Sequence, residues 1–333
     1  MKVLIYGAGA IGSWLGAEMT RQGLDVTLLA RGANWAALKQ HGVTLARPDG
    51  QTQSTPVQTA SPNDPLGSFD LIIVTLKSML LAAAASDLMA RLSPNGSLLM
   101  IQNGLPWWYF DGLEGPWRDR QLLSLDPDGT LQRTIPTSRV VGAVIVRPVI
   151  QTAAARYLVP DFPKSVLRLG EIAGGPSARV HEWCTLLSPT LACDPVADIR
   201  QAKWAKLMRN LIWNTLCALS QSGPDRFARN ELGRQLVRHV AHEGLAVARS
   251  VGQALALDVE AELASVLNEP GHTPSMLQDV RAGRALETDA IVRCVIEIGR
   301  WTDTPTPTLQ TLCALLEVMQ DAMLAQGKGV GYL

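Results

Sequence analysis

MKVLIYGAGAIGSWLGAEMTRQGLDVTLLARG (Met1–Gly32) reads as strand, glycine turn, helix and second strand in unbroken succession. Lys2–Tyr6 (KVLIY) is a continuous apolar run of the kind a buried parallel strand requires. Gly7, Gly9 and Gly12 follow where the chain must turn into a helix over Ile11–Arg21, and Asp25–Ala30 (DVTLLA) supplies the returning strand. Without side chains at Gly7 and Gly9 the backbone can approach a pyrophosphate, whose charge then rests on the positive end of the helix, while Gly12 lets that helix lie close to the strand. The stretch Gly7, Ala8, Gly9, Ala10, Ile11, Gly12 is therefore expected to hold a dinucleotide. At the end of the second strand an NAD enzyme usually places a carboxylate for the ribose hydroxyls. Here Ala30 offers none and Arg31 offers a fixed cation suited to a 2′-phosphate, which favours NADPH/NADP.

At 333 residues the chain exceeds the size at which one core stops growing, so two domains are expected. Thirty basic residues balance thirty acidic ones with no dense basic run, which gives no electrostatic case for a nucleic-acid or membrane partner. No apolar stretch reaches the length of a membrane span, and the expectation is a soluble cytoplasmic protein. The five cysteines are scattered without a CxxC pair, so neither a disulfide scaffold nor a zinc site is expected. His239 and His242 stand three apart on one helix but lack a third ligand nearby, and no metal is expected there.

Short strands are expected at Val43–Leu45 and Thr52–Thr59, around the Pro48-Asp49-Gly50 turn. Stronger runs follow at Asp70–Leu76, ending beside Lys77, and at Ser97–Ile101, ending beside Gln102-Asn103-Gly104. Val140–Arg147 and Ser165–Gly170 read as further strands, and Ser177–Leu187 as a closing helix. This alternation gives an α/β Rossmann-type doubly wound parallel sheet, in which ligands lie beyond the carboxyl ends of the strands, where Lys77 and Asn103 fall. Arg147, at another strand end, reads as a surface ion-pair partner, with an anion contact as the alternative. From Asp198 onward the spacing becomes helical over Ile199–Ser220, Glu231–Gly252, Asp258–Leu267, Ser275–Ala282, Glu287–Trp301 and Thr308–Gln326. The division expected is 1–197 for the nucleotide-binding domain and 198–333 for an all-α C-terminal domain, with Gly327–Leu333 a frayed tail.

In KWAKLMRNLIWNTLCAL, Lys206, Asn210 and Asn214 recur at intervals of four, so one helix face carries an ammonium and two carboxamides. Asn competes for backbone hydrogen bonds, so a pair of them on an otherwise apolar helix is either functional or a polar stripe against the other domain. Thr273 reads as an N-cap with Pro274 at the first helical position, and Ser275 and Glu287 fall near helix starts. Trp204 and Trp213 read as packing residues.

GAGAIG at Gly7–Gly12, Arg31, TLK ending at Lys77, QNG at Gln102–Gly104, KLMRNLIWN from Lys206 to Asn214 and SMLQDVRAGRALETD from Ser275 to Asp289 together resemble the ketopantoate reductase family (2-dehydropantoate 2-reductases), over nearly the whole chain. The resemblance implies NADPH-dependent reduction of a 2-oxo acid, with ketopantoate going to pantoate in pantothenate biosynthesis. It implies that Lys206 is the general acid, that Asn210 and Asn214 hold substrate, and that Ser275 binds the substrate carboxylate. Glu287 would act with Lys206 at the catalytic centre and touch the substrate hydroxyl or the nicotinamide ribose. Lys77 and Asn103 would contact NADPH, and Asn103 the substrate as well. A lysine in a closed cleft between domains would have a lowered pKa, which suits a proton donor.

Two departures from the family pattern stand out. An aromatic insertion, Pro106-Trp107-Trp108-Tyr109-Phe110 and on to about Pro136, would line a pocket for a bulkier 2-oxo acid, or else serve as a flap or oligomer contact. The family's further asparagine is missing from Ser222-Gly223-Pro224-Asp225. A reductase of another branched or aromatic 2-oxo acid, a β-hydroxyacid dehydrogenase and a non-catalytic NADP(H)-binding redox sensor are the alternatives. The expected partner is a small-molecule 2-oxo acid, with a homodimer left open.

Overall fold

Val3, Leu4 and Ile5 are fully buried, the environment their continuous apolar run requires, and they form the middle of β1 (Lys2–Tyr6). The computed structural model describes residues 1–268 and 271–330. After β1 come α1 (Ala10–Arg21), β2 (Asp25–Leu29), α2 (Gly32–His41), β3 (Val43–Ala46), β4 (Thr52–Thr55), β5 (Gln58–Ala60), β6 (Phe69–Val74), α3 (Leu81–Arg91) and β7 (Leu92–Met100). Then follow α4 (Thr130–Thr134), β8 (Val140–Val146), β9 (Ile150–Ala153), β10 (Arg156–Leu158), β11 (Val166–Glu171), α5 (Ala178–Leu187) and β12 (Cys193–Pro195).

Eight strands form one sheet in the order β12-β11-β8-β7-β6-β1-β2-β5. It is parallel throughout except where β11 meets β8 antiparallel, with Leu169 opposite Ala143. A second sheet, β4-β3-β10-β9, carries one parallel pairing, β3 with β10. The expected strand at Thr52–Thr59 is two strands, because Pro56 has no N–H to continue a ladder: β4 returns to β3, and β5 joins the main sheet beside β2. The strand expected to run to Leu76 ends at Val74. Thr75 there donates its N–H to Tyr6 O and its hydroxyl to Gly7 O, tying it to the glycine turn.

The chain divides into two compact units. The first holds Met1–Gln102, Trp108–Glu114 and Gly129–Ile199; the second holds Asn103–Trp107, Gly115–Asp128 and Arg200–Leu333. Its helices are α6 (Ile199–Arg209), α7 (Thr215–Ser220), α8 (Pro224–Arg229), α9 (Glu231–Ser250), α10 (Val259–Val266), α11 (Ser275–Arg281), α12 (Cys294–Trp301) and α13 (Pro307–Gln326). The helix expected over Ile199–Ser220 is interrupted by a π-turn at Asn210–Asn214, and a second π-turn at Asp289–Arg293 precedes α12. On α9 the buried residues Val237, Val240, Ala241, Gly244, Val247 and Ala248 make one helical stripe. A Cβ at Gly244 would come within 2.7 Å of Leu211 and 2.9 Å of Met208, so α9 lies against the helix that carries Lys206. Glu243 caps α13 by accepting from Thr308 N and Leu309 N at 2.8 and 2.9 Å. The tail is docked as far as it is described, since Val330 N donates to Val280 O at 3.0 Å; residues 331–333 lie outside the described residues. No helix among the described residues is long and apolar enough to cross a membrane.

The two glycines of the turn differ in what a side chain would meet. At Gly12 a Cβ would stand 2.2 Å from Gly7 O, a backbone atom that cannot move aside, whereas at Gly9 it would meet nothing. Gly12→Ala is expected to lower the unfolding free energy by about 2 kcal/mol, read from urea melts. Gly9→Ala is expected to stay within about 1 kcal/mol of wild type while losing dinucleotide affinity by titration. Equal stability of the two variants would contradict this packing.

Candidate active site

The nucleotide cradle belongs to the first unit. Gly7 has φ +114°, the conformation that lets the chain leave β1 for α1, and Gly9 opens α1 with Ser13 N donating to Gly9 O at 2.9 Å. Ala8 is held by a relay: Ser13 Oγ donates to Tyr157 OH at 2.8 Å, Tyr157 OH to Asn34 Oδ1 at 3.3 Å, and Asn34 Nδ2 to Ala8 O at 2.5 Å. The open space beyond Gly9, at the N-terminus of a three-turn helix with no acidic side chain in its first turn, fits a pyrophosphate. Arg31 follows β2 as the exposed N-cap residue of α2, and Lys77 is the N-cap residue of a short 3-10 turn after β6. Gln102 fixes the neighbouring strand end by donating Nε2 to Val74 O at 2.8 Å.

The second unit holds a different constellation. Lys206 Nζ donates to Asn103 Oδ1 at 2.8 Å, and Asn103 Nδ2 donates to Glu287 Oε2 at 3.0 Å, so one carboxamide joins the ammonium to the carboxylate. Gly104 makes this placement possible. Its φ of +75° turns the chain, and a Cβ there would lie 2.0 Å from Ala290 O. That carbonyl belongs to the second π-turn and accepts Leu105 N at 2.9 Å, which locks the QNG segment onto the helix that follows Glu287. Burial pushes the Lys206 ammonium down to about 8, with Glu287 opposing the shift. Lys206 nevertheless keeps partial contact with solvent, while Lys203, one turn earlier, is only 3% exposed. Burial, reinforced by Lys206, pushes Lys203 down to about 7.

Asn210 and Asn214 bound the first π-turn. Asn214 is buried, and its Oδ1 accepts from Met276 N at 3.3 Å and Ser275 Oγ at 3.4 Å. The Nδ2 donors of both asparagines are buried with no acceptor among the described residues. Buried amide donors without partners cost about 1–3 kcal/mol each. Ser275 is the first residue of α11, preceded by Pro274 as cap. Thr273, expected to be the cap, instead donates to Gly271 O at 3.3 Å.

Other residues singled out in the sequence find structural places. Trp204 is fully buried, and Trp213 is buried with Nε1 donating to Glu262 at 2.8 Å. Trp108, Tyr109 and Phe110 are fully buried in the first unit, with Trp108 over Gly142, and Trp107 is buried in the second. These four side chains therefore form core rather than a flap or an exposed oligomer contact. The later part of the insertion is tied to α12: Leu123 N and Ser124 N both donate to the Glu297 carboxylate at 2.9 Å, and Trp117 stacks on Trp301 at 6.5 Å. Lys203 and the Tyr157–Asn34 relay went unnoticed in the sequence. KWAK spacing signalled the lysine, but nothing local signalled a tyrosine so far along the chain.

The family model described as Ketopantoate reductase PanE/ApbA matches residues 3–107, and the one described as Ketopantoate reductase PanE/ApbA C terminal matches 198–320. A 2-dehydropantoate 2-reductase of Mesorhizobium japonicum is 35% identical over 318 residues, 95% of this chain and 97% of that protein. Among solved structures, a Ralstonia solanacearum MolK2 protein assigned to the ketopantoate reductases matches with a TM-score of 0.89 at 31% identity, covering 96% of this chain and 98% of that one. The 2-dehydropantoate 2-reductase of Geobacter metallireducens GS-15 gives 0.81 at 25%, covering 96% and 99%. A likeness at this identity that runs the length of both chains is inherited. The chain belongs to the ketopantoate reductase family, oxidoreductases that act on a CH–OH group with a nicotinamide cofactor.

Proposed function

We infer that the protein reduces 2-dehydropantoate to pantoate with NADPH, the reaction that serves pantothenate biosynthesis. The observation that carries this reading is the Lys206–Asn103–Glu287 line, whose lysine shares its helical run with two buried amide donors that lack acceptors. Bound NADPH supplies the hydride to the carbonyl carbon. Lys206 Nζ faces the oxygen of that carbonyl, stabilises the charge that develops there and hands over its proton. Asn210 and Asn214 donate Nδ2–H to substrate oxygens, Ser275 takes the carboxylate, and Glu287 accepts from the substrate hydroxyl or the nicotinamide ribose. Asn103 fixes Lys206 and contacts both substrate and cofactor.

Gly7 to Gly12 receive the pyrophosphate, with Lys77 beside it. Arg31, exposed and with no acidic residue at the end of β2, receives the 2′-phosphate, which is the argument for NADPH over NADH.

The test is oxidation of NADPH and of NADH by purified protein against ketopantoate and a panel of aliphatic and aromatic 2-oxo acids. Ketopantoate with NADPH is expected to give the highest kcat/KM, and Lys206→Ala to lower kcat about a thousandfold. Arg31→Ala is expected to weaken NADPH roughly tenfold and leave NADH unchanged. Turnover of bulky acids alone would overturn the substrate, and dinucleotide binding without any turnover would make the protein a sensor.

The direction of the Lys206 shift fixes the pH dependence. A general acid works in its protonated form, so kcat/KM is expected to be level below about 8 and to fall about tenfold per pH unit above it. A profile rising through that range would assign Lys206 the role of a base.

A further inference from the structure

Arg147 does not find the ion-pair partner its position at a strand end suggests. No carboxylate lies within ion-pair distance of it among the described residues. Its Nη1 donates to Ser165 Oγ at 3.0 Å, its guanidinium stands 5.4 Å from the Trp14 ring, and its Nε is buried with no acceptor. A guanidinium cannot shed its proton to relieve this, so Arg147 keeps its charge with one side-chain hydrogen bond and no counter-ion among the described residues.

Arg147 also lines a cavity of about 710 Å³ within the first unit. Trp14, Glu18 and Arg21, successive turns of one face of α1, form one wall; Leu45 and Arg47 near the β3–β4 hairpin form another. Val159, Asp161 and Phe162 supply more of the lining. Three arginines (Arg21, Arg47, Arg147) meet two carboxylates (Glu18, Asp161), which leaves one positive charge in excess. Arg21 is already engaged with Glu18 and donates to Thr55 Oγ1 at 2.9 Å. Arg47, exposed, has no side-chain partner among the described residues, which leaves it and Arg147 to meet a ligand. None of these residues has a part in the dinucleotide cradle or in the Lys206 constellation.

We propose that this cavity binds a singly charged organic acid. Arg147 and Arg47 take the carboxylate, and Trp14, Leu45, Val159 and Phe162 take its apolar or aromatic body. One excess positive charge matches one carboxylate; a polyphosphate would bring several negative charges beside Glu18 and Asp161. A planar guanidinium fork beside an indole is suited to bidentate carboxylate recognition.

Calorimetric titration of the full-length protein with phenylacetate and with 4-methylpentanoate tests the site, with inorganic phosphate as the control anion. Saturable binding of one equivalent is expected, weakened roughly tenfold or more in Arg147→Gln and retained in Asn214→Ala. Because Arg147→Gln also removes the bond to Ser165, the exposed Arg47→Gln is measured alongside and is expected to weaken binding with an unchanged melting temperature. Absence of saturable binding by both acids overturns the proposal. So does affinity unaffected by either arginine substitution, inorganic phosphate binding as tightly as the acids, or loss of binding in Asn214→Ala, which would put the acid in the substrate site.

Discussion

A half-buried lysine ammonium keeps its charge more readily with an acceptor beside it, and the segments around Lys206 in the second unit supply one. Removing an ion from water costs several kcal/mol even after relaxation. The acceptor for Lys206 is a neutral carboxamide, Asn103, whose oxygen has to face the lysine rather than its nitrogen. Glu287 settles that orientation, because an ionised carboxylate can only accept and therefore draws the NH₂ end toward itself. The three groups form a polarised line, and each end dictates the middle.

Holding Asn103 in that line places demands on the backbone. Gly104 must adopt a positive φ, the residue after it must find a carbonyl, and the approach to Ala290 must be closer than any Cβ allows. The π-turn over Asp289–Arg293 changes the ladder's register, and Ala290 O accepts from Leu105 as well as from the Cys294 thiol. The other π-turn does related work. A step of four residues overshoots one α-turn and falls short of one π-turn, so widening the helix over Asn210–Asn214 checks the drift that an α-helix would impose after Lys206. These turns have poorer hydrogen-bond geometry than the α-helix they interrupt, and packing holds them in place: Leu211 and Ile212 are fully buried, and Gly244 lets α9 press against them.

This arrangement sets the limit on what the sequence discloses. The first βαβ unit is legible because its signals are local: an apolar run, glycines at fixed offsets, and helical spacing between two strands. Lys206, Asn210 and Asn214 are legible for the same reason, as a polar pattern at intervals of four on an apolar helix. The π-turns are not, since hydrophobic periodicity over a few residues does not separate a wide turn from an ordinary one. Asn103 and Glu287 are 184 positions apart, and only the resemblance to a known family placed them in one site. The β3–β10 pairing and the Tyr157–Asn34 relay are likewise products of long-range packing that no window of sequence contains. Arg147 reads as a surface residue from its neighbours along the chain, and its burial appears only when Trp14 and Ser165 arrive from elsewhere.

The identity of the cation at position 206 follows from the same electrostatics. An arginine would form a stronger link to Asn103 but would hold its proton at any physiological pH. Lysine can be tuned, and here burial lowers it while Glu287 holds it up. Lys203 completes the balance. It lies deeper, and burial together with the charge of Lys206 pushes its pKa down while Glu287 opposes the shift. Two ammonium groups one turn apart repel each other, and Lys206 is the one joined to Asn103 and through it to Glu287. In the reaction proposed for it, an ammonium whose pKa lies just above neutrality would still be charged when the site needs a cation and would be acidic enough to release its proton as an alkoxide forms. Burial, the neutral carboxamide and Glu287 therefore converge on the charge of a single nitrogen, that of Lys206.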